Sequence, residues 1–194
     1  MKNNQSGRSM VEMLGVLAII GVLSAGGLAG YSKAMFKHKL NNTMDQITML
    51  VTNIRTMYGT QGNYDGLNNG SAVNLGIVPA VMDGGSGSGS ARGLTNPFKG
   101  TVTITAIDMG NVTKGGFTLT YTGLPVEACI ALATSDFGSG AGSGFIGAKI
   151  NSVAASGEYG NANNHNEGSA YTMEGALAAG ACDQNTNQIV WTFY

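Results

Sequence analysis

The chain has 194 residues, of which 31 are glycine and only 11% carry a charge, and its formal net charge is −1. So few charges, among many Asn, Ser and Thr residues, are typical of an extracellular surface rather than of a cytosolic enzyme. The hydrophobic content of 43% is too high for a disordered chain, and the charge balance indicates no specific nucleic-acid partner.

The N-terminal region carries a single carboxylate, Glu12, followed by an uncharged apolar stretch at residues 13–31. As a helix this stretch is roughly 28 Å long, enough to cross the hydrocarbon core of a bilayer. A charged group at mid-membrane costs about 2.5 to 3.5 kcal/mol, so we expect Glu12 to be neutralised by a partner. A cleaved secretory signal peptide, with its cleavage site at residues 24–26, is the alternative interpretation.

A helical pattern continues beyond the apolar stretch. Apolar residues recur every three or four positions on one helix face: Phe36, Leu40, Met44, Ile47, Val51, Ile54 and Tyr58. No proline interrupts residues 10–58, and Gly59 followed by Gly62 is a helix stop signal. The first half of the predicted helix contains glycines that favour either local melting or close helix packing: Gly15, Gly21, Gly26, Gly27 and Gly30.

Residues 7–23, GRSMVEMLGVLAIIGVL, resemble the class III leader and first helix of type IV pilins. The resemblance implies that a prepilin peptidase cuts after Gly7, so that Arg8 becomes the first residue and Glu12 the fifth. It also implies that Glu12 pairs with the new α-amine of Arg8 in a neighbouring subunit during assembly. A carboxylate that only reaches to the membrane interface is the alternative for Glu12. Members usually carry an apolar, N-methylated first residue, so Arg8 departs from the pattern and leaves methylation open.

The fold that this resemblance implies is α+β. A long N-terminal α-helix packs on an antiparallel β-sheet, and a disulfide bounds the C-terminal region. The length of the mature chain favours a type IVb-like major pilin, although the short leader is like that of the type IVa group.

The same resemblance predicts the domain organisation. We expect a leader at residues 1–7, a long helix at 8–58 and a globular head at 59–194. The helix would consist of a membrane-spanning half, 13–31, and an amphipathic half, 32–58. Within the head, an αβ-loop at 59–98 and a D-region at 129–182 are expected.

The chain has two cysteines, Cys129 and Cys182, both after the apolar stretch. An even pair in a small, glycine-rich extracytoplasmic domain most simply forms one disulfide. Closing a loop of this length stabilises by roughly 4 kcal/mol in the chain-entropy model. The pair is similar to the disulfide that bounds the D-region of type IV pilins. Free thiols or a metal site are the alternatives, but two histidines make a four-ligand zinc site improbable.

Alternating patterns predict a sheet. Residues 101–106 and 117–122 alternate apolar residues with threonine, as expected for antiparallel strands joined across residues 108–116. The C-terminal residues 189–194 form a third alternating segment, whose aromatic face we expect to pack on the apolar stripe of the helix. Residues 125–133 predict a short helix carrying Cys129, and residues 173–181 fit either a helical turn or a packed loop.

Two segments are predicted to be exposed and mobile connectors: residues 59–98, which include the Gly/Ser run at 84–90, and residues 156–170. The sequence contains no recognisable catalytic motif. Neither His38 nor His165 has a nucleophile motif around it, and the glycine-rich residues 138–144 lack P-loop spacing. We therefore predict no enzyme activity, cofactor or metal site.

The resemblance implies a structural function, that of a major pilin in a surface filament for adhesion, aggregation, conjugation or motility. The implied partners are identical subunits in a helical homopolymer, the prepilin peptidase, the inner-membrane pilus assembly machinery, and the inner membrane itself before assembly. The alternatives are a minor pilin, a type II secretion pseudopilin, or a monomeric membrane-tethered binding module.

Overall fold

The computed structural model describes residues 6–138, 142–151, 153–154, 168 and 170–194, and only the backbone of residues 6–9 and 153–154. The chain divides into two units, residues 1–39 and residues 40–194. Helix α1, Ser6–Tyr58, contributes residues to both units. The predicted helix end is confirmed: a Cβ at Gly59 would lie 2.7 Å from the carbonyl oxygen of Arg55, so a residue with a side chain fits poorly there.

The core of the second unit forms around the apolar stripe of α1. Ile47, Leu50 and Ile54 are fully buried and belong to the same hydrophobic cluster as Trp191 and Phe193. Rings stack edge to face within this cluster, since the centroid of Trp191 lies 5.5 Å from that of Tyr121. The predicted packing of the C-terminal aromatic residues with the helix stripe is confirmed.

The six-stranded sheet is antiparallel throughout and has the order β1-β2-β3-β6-β4-β5. Its strands are β1, Leu94–Thr95; β2, Thr101–Met109; β3, Val112–Leu124; β4, Phe145–Ile150; β5, Val153–Ala154; and β6, Asn187–Phe193. The three strands predicted from alternation correspond to β2, β3 and β6. The connection between β2 and β3 is shorter than predicted, because Met109 pairs with Val112 across a two-residue turn.

Strand β4 was not predicted, and its burial explains why. Residues 145–148 are all buried, so the strand lacks the alternation of buried and exposed positions that marks a half-exposed strand. It pairs with β6 on one side and β5 on the other. A nearly continuous apolar run between glycine-rich segments gives no periodic signal in the sequence.

The prediction of residues 59–98 as an exposed connector is wrong. This segment contains helix α2, Asn69–Asn74, and two 3-10 turns, Ala80–Met82 and Gly89–Ala91. Several of its side chains enter the core: Leu67, Ala72, Ile77, Met82 and Leu94. Residues 59–98 have the composition of a linker, but their spaced apolar side chains anchor the segment to the core.

The described residues of the second unit include two further helices: α3, Val126–Ala133, with Pro125 at its N-cap, and α4, Met173–Ala176. The predicted helix at 125–133 is confirmed, and residues 173–181 form one helical turn followed by a loop. The other predicted connector, residues 156–170, falls outside the described residues except at positions 168 and 170.

Candidate assembly surface

The N-terminal part of α1 presents an apolar surface to its surroundings. Between residues 10 and 31 every side chain is exposed, including those of large apolar residues such as Val22, at 74% exposure. The segment is long and apolar enough to cross a membrane, with a mean hydropathy of 2.1 over its most apolar window, none of which is buried. An apolar helix of this kind is stable only if lipid or another apolar surface covers it.

The helix glycines leave open space on this surface. A Cβ built at any of five positions meets no heavy atom within 4 Å: Gly15, Gly21, Gly26, Gly27 and Gly30. Small residues on a membrane helix let a second helix approach closely. The surface can therefore accept another helix without repacking of its own side chains.

The predicted cleavage and assembly residues lie at the start of this helix. Gly7 and Arg8 are in its first turns, and Glu12 follows Arg8 by four residues, about one turn and roughly 6 Å along the axis. The Glu12 side chain is exposed and forms no ion pair with any described residue. It is the only acidic residue between positions 10 and 39, so an apolar environment would leave its charge uncompensated.

A family model described as PilS N terminal matches residues 37–194 of the chain. The chain belongs to this family of type IV pilins. The resemblance found in the N-terminal sequence is thereby confirmed by the remainder of the chain.

Known pilins are similar to this pilin over most of its length. The major structural subunit of bundle-forming pilus from Escherichia coli O127:H6 is 29% identical over 140 residues, which cover 72% of this chain and 69% of that protein. Toxin coregulated pilin from Vibrio cholerae serotype O1 is 28% identical over 138 residues, covering 69% of this chain and 59% of that protein.

A solved structure supports the fold independently. The crystal structure of a type IVb pilin from Salmonella typhi matches with a TM-score of 0.51 and 20% identity, covering 78% of this chain and 97% of that one. The predicted fold class, with its long helix, antiparallel sheet and disulfide-bounded C-terminal region, is confirmed.

The disulfide of this pilin joins Cys129 on α3 to Cys182, with Cα atoms 5.7 Å apart. Both cysteines are buried. Backbone hydrogen bonds hold the flanks, since Tyr171 N donates to Ala133 O at 3.0 Å and Cys182 N donates to Ala176 O at 3.3 Å. The bond therefore fastens α3 to the segment that leads into β6.

The pilin head presents exposed apolar side chains of its own. Val81 is 82% exposed, and Met173 and Leu177 are exposed in and just after α4. A shallow groove of about 150 Å³ lies between Met57 of α1 and Leu75 beyond α2. These positions are candidate contacts with neighbouring subunits, in addition to the N-terminal helix.

Arg55 is a residue whose environment the sequence did not predict. Its guanidinium carbon lies 5.5 Å from the centre of the Phe193 ring, and its Nε and Nη2 atoms are buried without a hydrogen-bond partner. It lines a cavity of about 210 Å³ together with Thr52 and Asp136. Burial raises the pKa of the nearby Tyr64 hydroxyl, and the positive charge of Arg55 partly opposes that rise. From the sequence, Arg55 is indistinguishable from an exposed helix cation.

Proposed function

We propose that this chain is the major structural subunit of a type IVb pilus, a helical homopolymer of identical subunits. The observation that carries the proposal is the exposed apolar helix with a single carboxylate near its start, on a chain that belongs to the type IV pilins. The names of the similar proteins, a major structural pilus subunit and a pilin, support the same function. The use of the filament for adhesion, aggregation, conjugation or motility depends on partners outside this chain.

Maturation begins with removal of residues 1–7. A prepilin peptidase cuts between Gly7 and Arg8, leaving a mature chain with the long helix at 8–58 and the globular head at 59–194. Residues 59–98 then correspond to the αβ-loop and residues 129–182 to the D-region. The position of Gly7 and Arg8 within the described start of α1 is compatible with this order of events.

Assembly depends on a charge pair between subunits. The new α-amine of Arg8 in one subunit meets the Glu12 carboxylate of the next, so that neither charge enters the apolar core of the filament unpaired. Breaking a buried pair by removing one partner typically costs about 3 to 5 kcal/mol. That penalty is large enough to favour one axial register of the helices over others.

The route follows from the two environments that the apolar helix needs. Before assembly, residues 13–31 span the inner membrane, where lipid covers them. Inner-membrane assembly machinery then moves the subunit into the extracellular filament, where neighbouring helices replace the lipid. Lipid and protein are similarly apolar, so close packing at the helix glycines, rather than a hydrophobic effect, would favour the filament.

Mass spectrometry of the N-terminus in sheared surface filaments tests maturation directly. We expect Arg8 as the first residue, whereas an intact Met1 would contradict the proposal and favour a membrane-tethered module. The same spectrum reports whether the Arg8 amine is methylated. Copy number in the filament separates the remaining alternatives, because a minor pilin or a secretion pseudopilin would be present at low copy.

Substitutions at Glu12 test the assembly step. We expect Glu12→Ala and Glu12→Gln to abolish filaments while leaving a folded, cleaved subunit in the membrane. Glu12→Gln preserves side-chain length, so its failure assigns the effect to charge rather than shape. Filament yield equal to that of the unmodified chain in both variants would contradict a role for Glu12 in assembly.

A further inference from the structure

The apolar part of α1 ends in a short segment that carries one aromatic and two cationic side chains. Tyr31, 64% exposed, is the last residue of the uncharged apolar stretch, and the exposed Lys33 and Lys37 follow it. Lys33 and Lys37 are four residues apart and so lie on the same helix face. We refer to Tyr31, Lys33 and Lys37 as the collar.

The collar has no counter-charge in its own part of the chain. Glu12 is the only acidic residue between positions 10 and 39, and it precedes Lys33 by 21 positions. Neither Lys33 nor Lys37 forms a salt bridge with any described residue. Lys39, which has contacts of its own, adds a further cation to the same short segment.

The spacing along α1 fits the two faces of a bilayer. Arg8 and Lys33 are 25 positions apart, a helical distance of roughly 38 Å at about 1.5 Å per residue. A bilayer measures about 30 Å across its hydrocarbon core and about 40 to 45 Å including its headgroups. When the cleavage site lies at one headgroup layer, the collar lies at the other.

We propose that the collar binds anionic phospholipid headgroups and thereby sets the depth of the helix, holding the Gly7–Arg8 bond at the opposite face of the membrane. This inference rests on the proposed membrane stage of the subunit. Lysine extends its charge to the headgroups while its alkyl stem stays in apolar surroundings. Tyrosine rings are enriched at the same level, where one end of the ring is apolar and the other is hydrated.

The arrangement favours a lipid surface over other anionic partners. The collar follows directly from a membrane-length apolar segment, so the headgroup phosphates are the first anions that it meets. A nucleic acid would need a longer run of cations and stacking platforms, whereas basic residues and aromatic rings are absent from residues 10–30 and are confined here to the short segment 31–39. An acidic patch on a neighbouring subunit is the remaining possibility, and the experiment distinguishes it.

The test uses the full chain in vesicles containing phosphatidylglycerol and phosphatidylcholine in equal amounts, with a Tyr31→Trp reporter. Bromine on either the phosphatidylglycerol or the phosphatidylcholine acyl chains quenches the reporter, and the chain without the reporter corrects for Trp191. The ratio of the two quenching efficiencies measures which headgroup is enriched around the collar. We expect stronger quenching by brominated phosphatidylglycerol.

Three variants and one change of ionic strength test the origin of the preference. We expect Lys33→Gln with Lys37→Gln to abolish most of the preference, because each lysine near an anionic surface contributes a factor of about five. Lys33→Arg with Lys37→Arg should keep it, and Lys99→Gln, which removes an exposed cation from the second unit, should leave it unchanged. Raising the ionic strength from about 0.1 M to about 1 M shortens the Debye length from about 10 Å to about 3 Å and should also reduce the preference.

The outcomes separate this inference from the proposed function. Equal quenching by both lipids in the reporter chain would overturn the headgroup binding of the collar while leaving membrane insertion intact, and would leave the lysines available for contacts between subunits. A preference for phosphatidylglycerol that remains in the chain with Lys33→Gln and Lys37→Gln would also overturn the proposal. No quenching by either lipid would contradict the membrane stage itself, and the collar with it.

Discussion

The side chain of Asn69 forms hydrogen bonds with the backbone of β2 at Ile104, as a neighbouring strand would. Its Oδ1 accepts a hydrogen bond from Ile104 N at 2.7 Å, and its Nδ2 donates to Val102 O at 3.0 Å and to Arg92 O at 2.8 Å. Strand β1 covers only the first residues of β2, pairing with Thr101 and Val102. Asn69 therefore satisfies the N–H of Ile104, which lies beyond the residues that β1 pairs.

Replacing Asn69 with Ala should lower the free energy of unfolding by about 2 to 4 kcal/mol, because three hydrogen bonds are lost and buried backbone groups lose their partners. Denaturant unfolding of the oxidised chain measures the change. Asn53→Ala is the matched control, since Asn53 donates a single hydrogen bond to Ile77 O, and it should lose about 1 kcal/mol. Equal losses in the two variants would show that Asn69 has no special role at the edge.

Gly70 lies against the backbone of Gly89, and a Cβ at position 70 would come within 2.8 Å of three backbone atoms of Gly89. We expect Gly70→Ala to destabilise by about 1 to 3 kcal/mol, because backbone cannot move aside as a flexible side chain can. Gly27→Ala, at a position with open space, should not destabilise the chain. Thermal unfolding of the two variants in the same detergent makes the comparison. If Gly70→Ala unfolds at the temperature of the unmodified chain, the close approach is absent.

The ion pair between Arg92 and Asp83 closes the Gly/Ser run. Arg92 Nε and Nη2 donate to the two carboxylate oxygens at 2.8 and 2.6 Å, and these bonds hold the pKa of Asp83 below its usual value. Because the pKa of Asp83 is lower in the folded chain, the ion pair contributes its full stabilisation above the unfolded-state pKa of about 4. That stabilisation is lost as the pH falls through the lower folded-state pKa.

Acid should therefore loosen this loop selectively. We expect the hydrogen-exchange protection of the Gly84 and Gly93 amides, which bond to Gly93 O and Ser86 O, to fall by about two- to fivefold below about pH 4. Asp83→Asn should show the lower protection already at neutral pH and little further change on acidification. A variant that still responds to acid as the unmodified chain does would assign the effect to another carboxylate.

The disulfide should contribute roughly 4 kcal/mol to stability, since Cys129 and Cys182 are 53 positions apart and a cross-link restricts the unfolded chain. The double substitution Cys129→Ser with Cys182→Ser should lower the denaturation midpoint by the corresponding amount. Reduction of the unmodified chain is the control and should give the same midpoint. A stability unchanged by both treatments would contradict the chain-entropy account.

Arg55 should contribute little to stability although two of its nitrogens are buried. Two of its nitrogens lack hydrogen-bond partners, and replacing such a group with an apolar residue of similar size is often neutral or stabilising. We expect Arg55→Met to change the free energy of unfolding by less than about 1 kcal/mol. The pKa of Tyr64 should rise further, because the positive charge that favours its phenolate is gone. Absorbance titration against Arg55→Lys separates charge from shape, and a large stability loss would contradict the prediction.

The sequence predicted the structure correctly where the periodicity of apolar residues or a helix stop signal was strong. The stripe through Ile47, Val51 and Ile54, all buried, and the end of α1 at Tyr58 follow from helical spacing and from Gly59. The threonine alternation in β2 and β3 reflects a sheet with one buried and one more exposed face. Residues 7–23 indicated the family through their resemblance to the class III leader and first helix of type IV pilins.

The features that the sequence did not predict depend on contacts between residues far apart in the chain. Strand β4 is buried too uniformly to alternate, and the residues around α2 fold into the core through Ala72 and Ile77 although their composition is that of a linker. Asn69 and Arg55 are single polar residues, and only tertiary structure places the first against a strand and the second over Phe193. No local pattern could distinguish them from exposed residues.

The disulfide has a consequence for how this pilin can change over evolutionary time. Its Cα atoms stay 5.7 Å apart whatever lies between them, while Tyr171 N binds Ala133 O and Asn151 N binds Gln188 O on either side of the intervening stretch. Because loop-closure entropy grows only slowly with length, lengthening a connection between Cys129 and Cys182 adds little to the cost of folding. The disulfide can therefore keep α3 fastened to the segment before β6 while a connection inside the cross-linked loop changes in length.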